Sequence, residues 1–95
     1  MKVVDFNKDY DKGKVFLFFE GDDCGLCQGM KMKSLEELKD VEGEFMSVKL
    51  SDHPKLRGEF QVFSFPTLLY LRDGVEVERM AGFFDFEKFL RAISS

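Results

Sequence analysis

The sequence has no tryptophan, a single histidine, two prolines and two cysteines in 95 residues. Two cysteines are too few for the disulfide framework of a small secreted domain, and two prolines exclude collagen-like or proline-rich designs. The longest apolar run covers only residues 15–19, which is too short to cross a bilayer. The first ten residues carry charges and lack the apolar stretch of a secretory signal peptide, so we expect a cytoplasmic protein without a membrane segment.

Charge of neither sign is in large excess, because 14 lysines and arginines stand against 18 aspartates and glutamates. The net charge of −4 argues against nucleic acid as a partner, since phosphate binding needs a concentrated basic face. Twelve phenylalanines and a hydrophobic share of 44% supply a core and exclude a disordered chain. The length predicts one domain over residues 1–95, which we expect to be monomeric.

Hydrophobic periodicity alternates between strand and helix along the chain. It predicts strands at residues 3–6, 14–20, 44–50, 65–71 and 75–80, and helices at 24–41, 56–60 and 86–93. Strands that alternate with helices require parallel crossovers, whereas Asp73-Gly74 predicts a tight hairpin with one antiparallel pair. We therefore expect an α/β fold with a mixed sheet of four or five strands and helices on both faces.

The two cysteines, Cys24 and Cys27, lie where the strand at 14–20 turns into the first long helix. Free backbone N–H groups and the helix dipole stabilise a thiolate at such a position. We expect Cys24 to be the exposed nucleophile and Cys27, one turn deeper, to resolve the mixed disulfide. An inert pair and half of a metal site are the alternatives. Zinc needs four ligands, and His53 is the only histidine, so we expect no metal.

Around these residues the sequence resembles the thioredoxin family over nearly its whole length. Residues 24–27 resemble the family's Cys-Gly-Pro-Cys motif, and residues 65–67, Phe-Pro-Thr, resemble its cis-proline segment. Asp73-Gly74 resembles the hairpin that follows, and Gly82 resembles the glycine that lines the active-site groove. The resemblance implies a thioredoxin-like fold and an oxidoreductase that exchanges disulfides with target proteins. It also implies no bound cofactor and recycling by an NADPH-dependent flavoprotein reductase.

The resemblance further implies a set of substrate-binding residues. A cis Pro66 would pack against the cysteines, and the backbone of Phe65 would pair with an extended target segment. Gly25, Leu26 and Gly82 would let the target backbone approach closely. Phe83 and Phe84 follow Gly82, and with Leu26 and Phe65 they would form an exposed apolar rim around Cys24, although Phe84 could equally pack under the last helix.

Three positions depart from the family pattern. Asp23 stands where the family has tryptophan, Leu26 replaces the proline between the cysteines, and Phe18 occupies the position of a buried aspartate that aids proton transfer. The helix N-terminus should lower the pKa of the Cys24 thiol, whereas the carboxylates of Asp22 and Asp23 should raise it. These departures keep a second function open: a thioredoxin-fold binding module with little or no redox turnover.

Overall fold

The computed structural model describes residues 1–94, which form one five-stranded sheet and its covering helices. The strands are β1 (Lys2–Val3), β2 (Lys14–Glu20), β3 (Glu44–Lys49), β4 (Thr67–Arg72) and β5 (Val75–Ala81). The α-helices are α1 (Gly25–Glu37), α2 (Lys55–Phe60) and α3 (Phe86–Ile93), and a 3₁₀ turn covers Lys8–Asp11.

The sheet has the strand order β1-β3-β2-β4-β5. Strands β1, β3 and β2 pair in parallel, whereas β4 is antiparallel to both β2 and β5. The central strand β2 buries all five of its inner residues, as expected for an apolar run that is covered on both sides. The expected mixed sheet is thereby confirmed.

Alternating side chains of β2 enter two separate hydrophobic cores. Phe16 and Phe18 point to one face, where they pack with residues of α1 and α3. Val15, Leu17 and Phe19 point to the other face, which α2 and the 3₁₀ turn cover. Burying one side chain of this size stabilises the fold by about 1.5–3 kcal/mol. Helices thus lie on both faces, as the alternation of elements predicts.

The predicted boundaries of α1 and β1 are wrong. Helix α1 ends at Glu37 rather than at residue 41, and Leu38 forms its C-cap. Leu38 is fully buried and Val41 packs on the same core, so the apolar spacing continues through a turn. Strand β1 is limited to Lys2–Val3, because the chain then leaves the sheet toward the 3₁₀ turn.

An ion pair on β5 lies next to the C-terminal end of α2. Arg79 of β5 donates from Nε and Nη2 to the two carboxylate oxygens of Glu76, at 2.7 and 2.6 Å. Its guanidinium also donates to the carbonyl oxygens of Phe60 and Gln61, at 2.6 and 3.1 Å, where α2 ends. One side chain therefore ties the edge strand to the end of a helix that is far away in sequence.

Replacing this arginine, in Arg79→Lys, should lower the free energy of unfolding by about 1 kcal/mol, since lysine cannot reproduce the planar fork. The hydrogen bond from Arg79 lowers the pKa of Glu76 and outweighs the burial that raises it. A carboxylate with a lowered folded-state pKa contributes stability above its unfolded value of 4.5, and this contribution is lost as pH falls through the folded value.

Urea unfolding of the wild type and Arg79→Lys at neutral pH and at about pH 3 checks this prediction. The stability difference between the two proteins should shrink in acid. Glu36→Gln, which removes an exposed ion pair with Lys39, is the control and should change stability little at either pH. An equal difference between wild type and Arg79→Lys at both pH values would contradict the role of the ion pair.

Candidate active site

The cysteine pair lies at the N-terminus of α1. Strand β2 ends at Glu20, and α1 begins at Gly25 with Cys24 as its N-cap. The Cys24 Sγ atom accepts a hydrogen bond of 3.2 Å from the backbone N–H of Cys27. The sulfur therefore takes the N-cap role, which aspartate often has and which neither Asp22 nor Asp23 has here. A disulfide joins the two cysteines, whose Cα atoms are 5.3 Å apart.

The two sulfur-bearing residues differ in exposure. Cys24 is half-buried at the surface end of the helix, whereas Cys27 is only 3% exposed. Cys27 belongs to the core that contains Phe18 and lies between the sheet, α1 and α3. A target can therefore approach the first cysteine more readily than the second.

A proline loop is held beside the C-terminal end of β2. The Phe65–Pro66 peptide bond is cis, and Pro66 is buried. Antiparallel pairing sets Thr67, the first residue of β4, opposite Phe19 near the end of β2. The N–H of Gly82, which follows β5, donates to the Pro66 carbonyl at 2.9 Å. Sheet register thus brings the proline loop and Gly82 to the end of the molecule where the cysteines lie.

The ring of Phe65 lies close to two residues that were not predicted to be part of the site, Gly21 and Arg57. A methyl group on Gly21 would lie 2.7 Å from Cδ2 of this ring, so only glycine permits the close approach. The Arg57 guanidinium lies 5.8 Å from the ring centroid on another side, within cation–π range. The position of Gly21 directly after a buried strand is the only sequence signal, and it indicates a turn equally well.

Several large apolar side chains are exposed on the surface. Leu26 is 59% exposed and Phe83 is 90% exposed, whereas Phe84 is buried beneath α3. Of the two alternatives for Phe84, packing under the last helix is therefore the one that the structure has, while Phe83 is exposed as expected. Phe63, two residues before Phe65, is 75% exposed and was not predicted. Exposed apolar surface of this kind marks docking surfaces.

The two predicted acidic neighbours of Cys24 are both exposed. Asp22 accepts a hydrogen bond of 3.2 Å from Ser51 Oγ, which ties the turn to the segment after β3. Asp23 has a left-handed backbone with φ of 55°. Gly25, the next residue after Cys24, is exposed and has no atom within 4 Å of where a Cβ would stand, so its surroundings are open.

A cleft of about 470 Å³ opens beside the cysteines. Its lining consists of Glu20, Gly21, Asp23, Cys24, Gly25, Cys27, Gln28 and Lys49. No group of three or more histidine, cysteine or acidic side chains within residues 1–94 is arranged to hold a metal ion. His53 is exposed, and its ring packs 4.7 Å from that of Phe6. In the part of the chain that the structure describes, no helix is long and apolar enough to span a membrane.

A cysteine pair at a helix N-terminus, facing a cis-proline loop on a mixed sheet, defines the class of thiol–disulfide exchange proteins. A family profile described as a thioredoxin-like domain matches residues 7–95. The thioredoxin of Chlamydia caviae is 33% identical over 99 aligned positions, which cover 99% of this chain and 96% of that protein. The chain therefore belongs to the thioredoxin-like family, and it is a protein-disulfide oxidoreductase.

Solved structures of thioredoxins share the fold. The thioredoxin of Fasciola hepatica superposes with a TM-score of 0.72 at 26% identity, over 90% of this chain and 84% of that one. The thioredoxin pre-protein of Schistosoma mansoni superposes with a TM-score of 0.80 at 14% identity, over 99% of this chain and 97% of that one. The mixed five-stranded sheet with its three α-helices is thus a thioredoxin-like fold.

Proposed function

We propose that Cys24 is the nucleophile of this oxidoreductase and that Cys27 is its resolving thiol. The difference in exposure between the two residues carries the assignment, since only the sulfur at the helix cap is open to a large disulfide. In the reduced protein the Cys24 thiolate attacks a target disulfide and releases one target thiolate. Cys27 then attacks Cys24 Sγ, the Cys24–Cys27 bond forms, and the second target sulfur departs, so two electrons reach the target.

The local structure supports a reactive Cys24. The backbone N–H of Cys27 already points at its sulfur at 3.2 Å, and the other free N–H groups of the first turn add their partial positive charge. Asp22 and Asp23 oppose this effect, because nearby carboxylates disfavour a second negative charge. We assign these two residues the role of restraining thiolate formation at Cys24.

An extended target segment would dock along the proline loop. We assign its backbone contacts to Phe65, next to Pro66, in the manner of an added strand. The exposed backbone at Gly25 and the Gly82 turn allow close approach, and Leu26 supplies apolar contact. The targets are disulfide-containing proteins.

The remaining expectations belong to the same proposal. The protein acts as a monomeric single domain over residues 1–95 in the cytoplasm, without a bound cofactor beyond its redox-active disulfide. A flavoprotein reductase that uses NADPH, or another dithiol donor, returns the Cys24–Cys27 disulfide to the dithiol. This supply of electrons is required for repeated turnover.

Substitution of the resolving thiol tests the assignment directly. Cys27→Ser should accumulate covalent complexes with target proteins, because the mixed disulfide at Cys24 can no longer be released from within the molecule. Non-reducing electrophoresis and mass spectrometry of the trapped partners provide the measurement. Dithiothreitol should reduce the mixed disulfides and release the target proteins. The double variant Cys24→Ser/Cys27→Ser should form no complexes. Absence of complexes with the single variant would favour the non-redox binding module.

A further inference from the structure

We propose that Glu20 is the proton acceptor for the resolving thiol of Cys27, and that Lys49 positions the Glu20 carboxylate. This inference rests on the proposed roles of Cys24 and Cys27. It adds a residue to the second half of the exchange, in which a buried thiol must lose its proton before it can attack.

Within residues 1–94 the buried polar side chains are those of Ser34 and Thr67, so the core side of Cys27 offers no carboxylate there. Its hydrophobic cluster consists of apolar side chains apart from the hydroxyl of Tyr70, and Phe18 fills the position beneath the cysteines on β2. A thiol becomes a strong nucleophile only as the thiolate, so the proton has to leave by another route. The cleft that Cys27 lines is such a route, and it is large enough to hold water.

Strand geometry directs Glu20 into this cleft. Side chains alternate along β2, so Glu20 lies on the same face as Phe16 and Phe18, the face that α1 covers. In the neighbouring strand β3, Lys49 alternates in the same way with Phe45, which belongs to the same core. Both side chains line the cleft together with Cys27.

Strand register makes Glu20 and Lys49 neighbours in the sheet. Glu20 and Lys49 are direct partners in the parallel pairing of β2 with β3, on strands about 5 Å apart. A lysine ammonium carries three N–H donors, which allows it to hold a neighbouring carboxylate by charge-assisted hydrogen bonds. Asp23 is the other titratable group that lines the cleft, but it lies in the exposed turn before Cys24. Glu20 is half-buried at the end of the strand and is the better placed acceptor.

The step balances without an added reagent. The Cys27 proton passes through water in the cleft to the Glu20 carboxylate, and the resulting thiolate attacks Cys24 Sγ in the mixed disulfide. The Cys24–Cys27 bond forms while the bond between Cys24 and the target sulfur breaks. The target sulfur leaves as a thiolate with the electron pair, and the proton on Glu20 returns to solvent or to that thiolate.

An aromatic disulfide that releases a coloured thiolate separates the two halves of the reaction. With reduced protein and dithiobis(nitrobenzoate) in stopped flow, attack by Cys24 releases the first nitrothiobenzoate and resolution by Cys27 releases the second. Glu20→Gln should leave the first release nearly unchanged and slow the second about tenfold or more at neutral pH. Lys49→Met should slow the second release by a smaller factor, and Glu20→Asp should restore part of the rate.

The direction of the rate change in Glu20→Gln shows whether Glu20 acts as a proton acceptor or only as a nearby negative charge. If Glu20 acted only through its charge, its removal would ease ionisation of Cys27 and speed the second release. Unchanged or faster release across about pH 5 to 9 would therefore overturn the proposal. Glu44→Gln, at the opposite end of the neighbouring strand, is the matched control and should behave as the wild type. A wild type without any first release would instead contradict the proposed function.

Discussion

Cys24→Ser should abolish the reduction of protein disulfides, with a loss of roughly a thousandfold or more. Serine has nearly the same size and is a preferred N-cap residue, so its hydroxyl can accept the hydrogen bond that the Cys27 N–H now donates to sulfur. The fold and the start of α1 should therefore be preserved. What disappears is the thiolate, since a serine hydroxyl is not ionised at neutral pH and cannot form a disulfide.

The measurement is the precipitation of insulin in the presence of dithiothreitol. The wild type should exceed the dithiothreitol background, and Cys24→Ser should not. Circular dichroism of the reduced proteins should show equal helix content, which separates lost chemistry from lost structure. Turnover by Cys24→Ser above background would mean that another group is the nucleophile. A wild type at the background rate would mean that the domain is a binding module.

Phe18→Asp should unfold the protein or bring it close to unfolding. Phe18 is completely buried and packs against the rings of Phe45 and Phe84, with centroids 6.0 and 6.2 Å away. Loss of a buried aromatic ring costs about 3–5 kcal/mol, and an unpaired carboxylate in the same space adds a further penalty. The total stability of a small domain is only about 5–15 kcal/mol.

Urea or thermal unfolding checks this expectation. Phe18→Leu is the control, since it keeps an apolar side chain at the site and should cost only about 1 kcal/mol. If Phe18→Asp unfolded at the same urea concentration as the wild type, the site would have to admit water or a partner for the carboxylate. The expected outcome explains why a single substitution cannot return the buried acid of other family members to this position.

The phenylalanine at position 18 affects both the stability of the core and the proposed proton transfer from Cys27. The largely apolar core beneath Cys27 stabilises the sheet against α1 and α3, but it offers no carboxylate as a proton acceptor on that side. Glu20 and Lys49 are paired directly after the apolar pair Phe19 and Val48, and both line the cleft. In the pairing of β2 with β3, the apolar residues stabilise the core, and the next pair, Glu20 and Lys49, is the one proposed to take part in proton transfer.

Much of the site could be predicted because its signals are local. A cysteine at each end of one helical turn, directly after a buried strand, places both sulfurs without knowledge of the rest of the fold. The apolar run of β2, the Asp73-Gly74 turn and the Asp85 cap of α3 likewise act within a few residues. The resemblance of residues 65–67 and Gly82 to the thioredoxin pattern then predicted the segment to which a target would bind.

Other features depended on contacts between distant segments. The apolar spacing continues past Glu37 because Leu38 is buried in the core between the sheet, α1 and α3 and Val41 packs against that core, although neither residue lies within α1. The ring of Phe65 lies close to Gly21 only because β2 and β4 are neighbouring strands.

The sequence by itself determined the order of the elements and the chemistry of the two cysteines, since short-range periodicity and capping encode both. Only the tertiary structure decided that Phe84 is buried while Phe83 is exposed, and that Glu20 stands beside Lys49. These outcomes follow from strand register and from the packing of α3, which join residues too far apart in the chain for any local pattern to relate them.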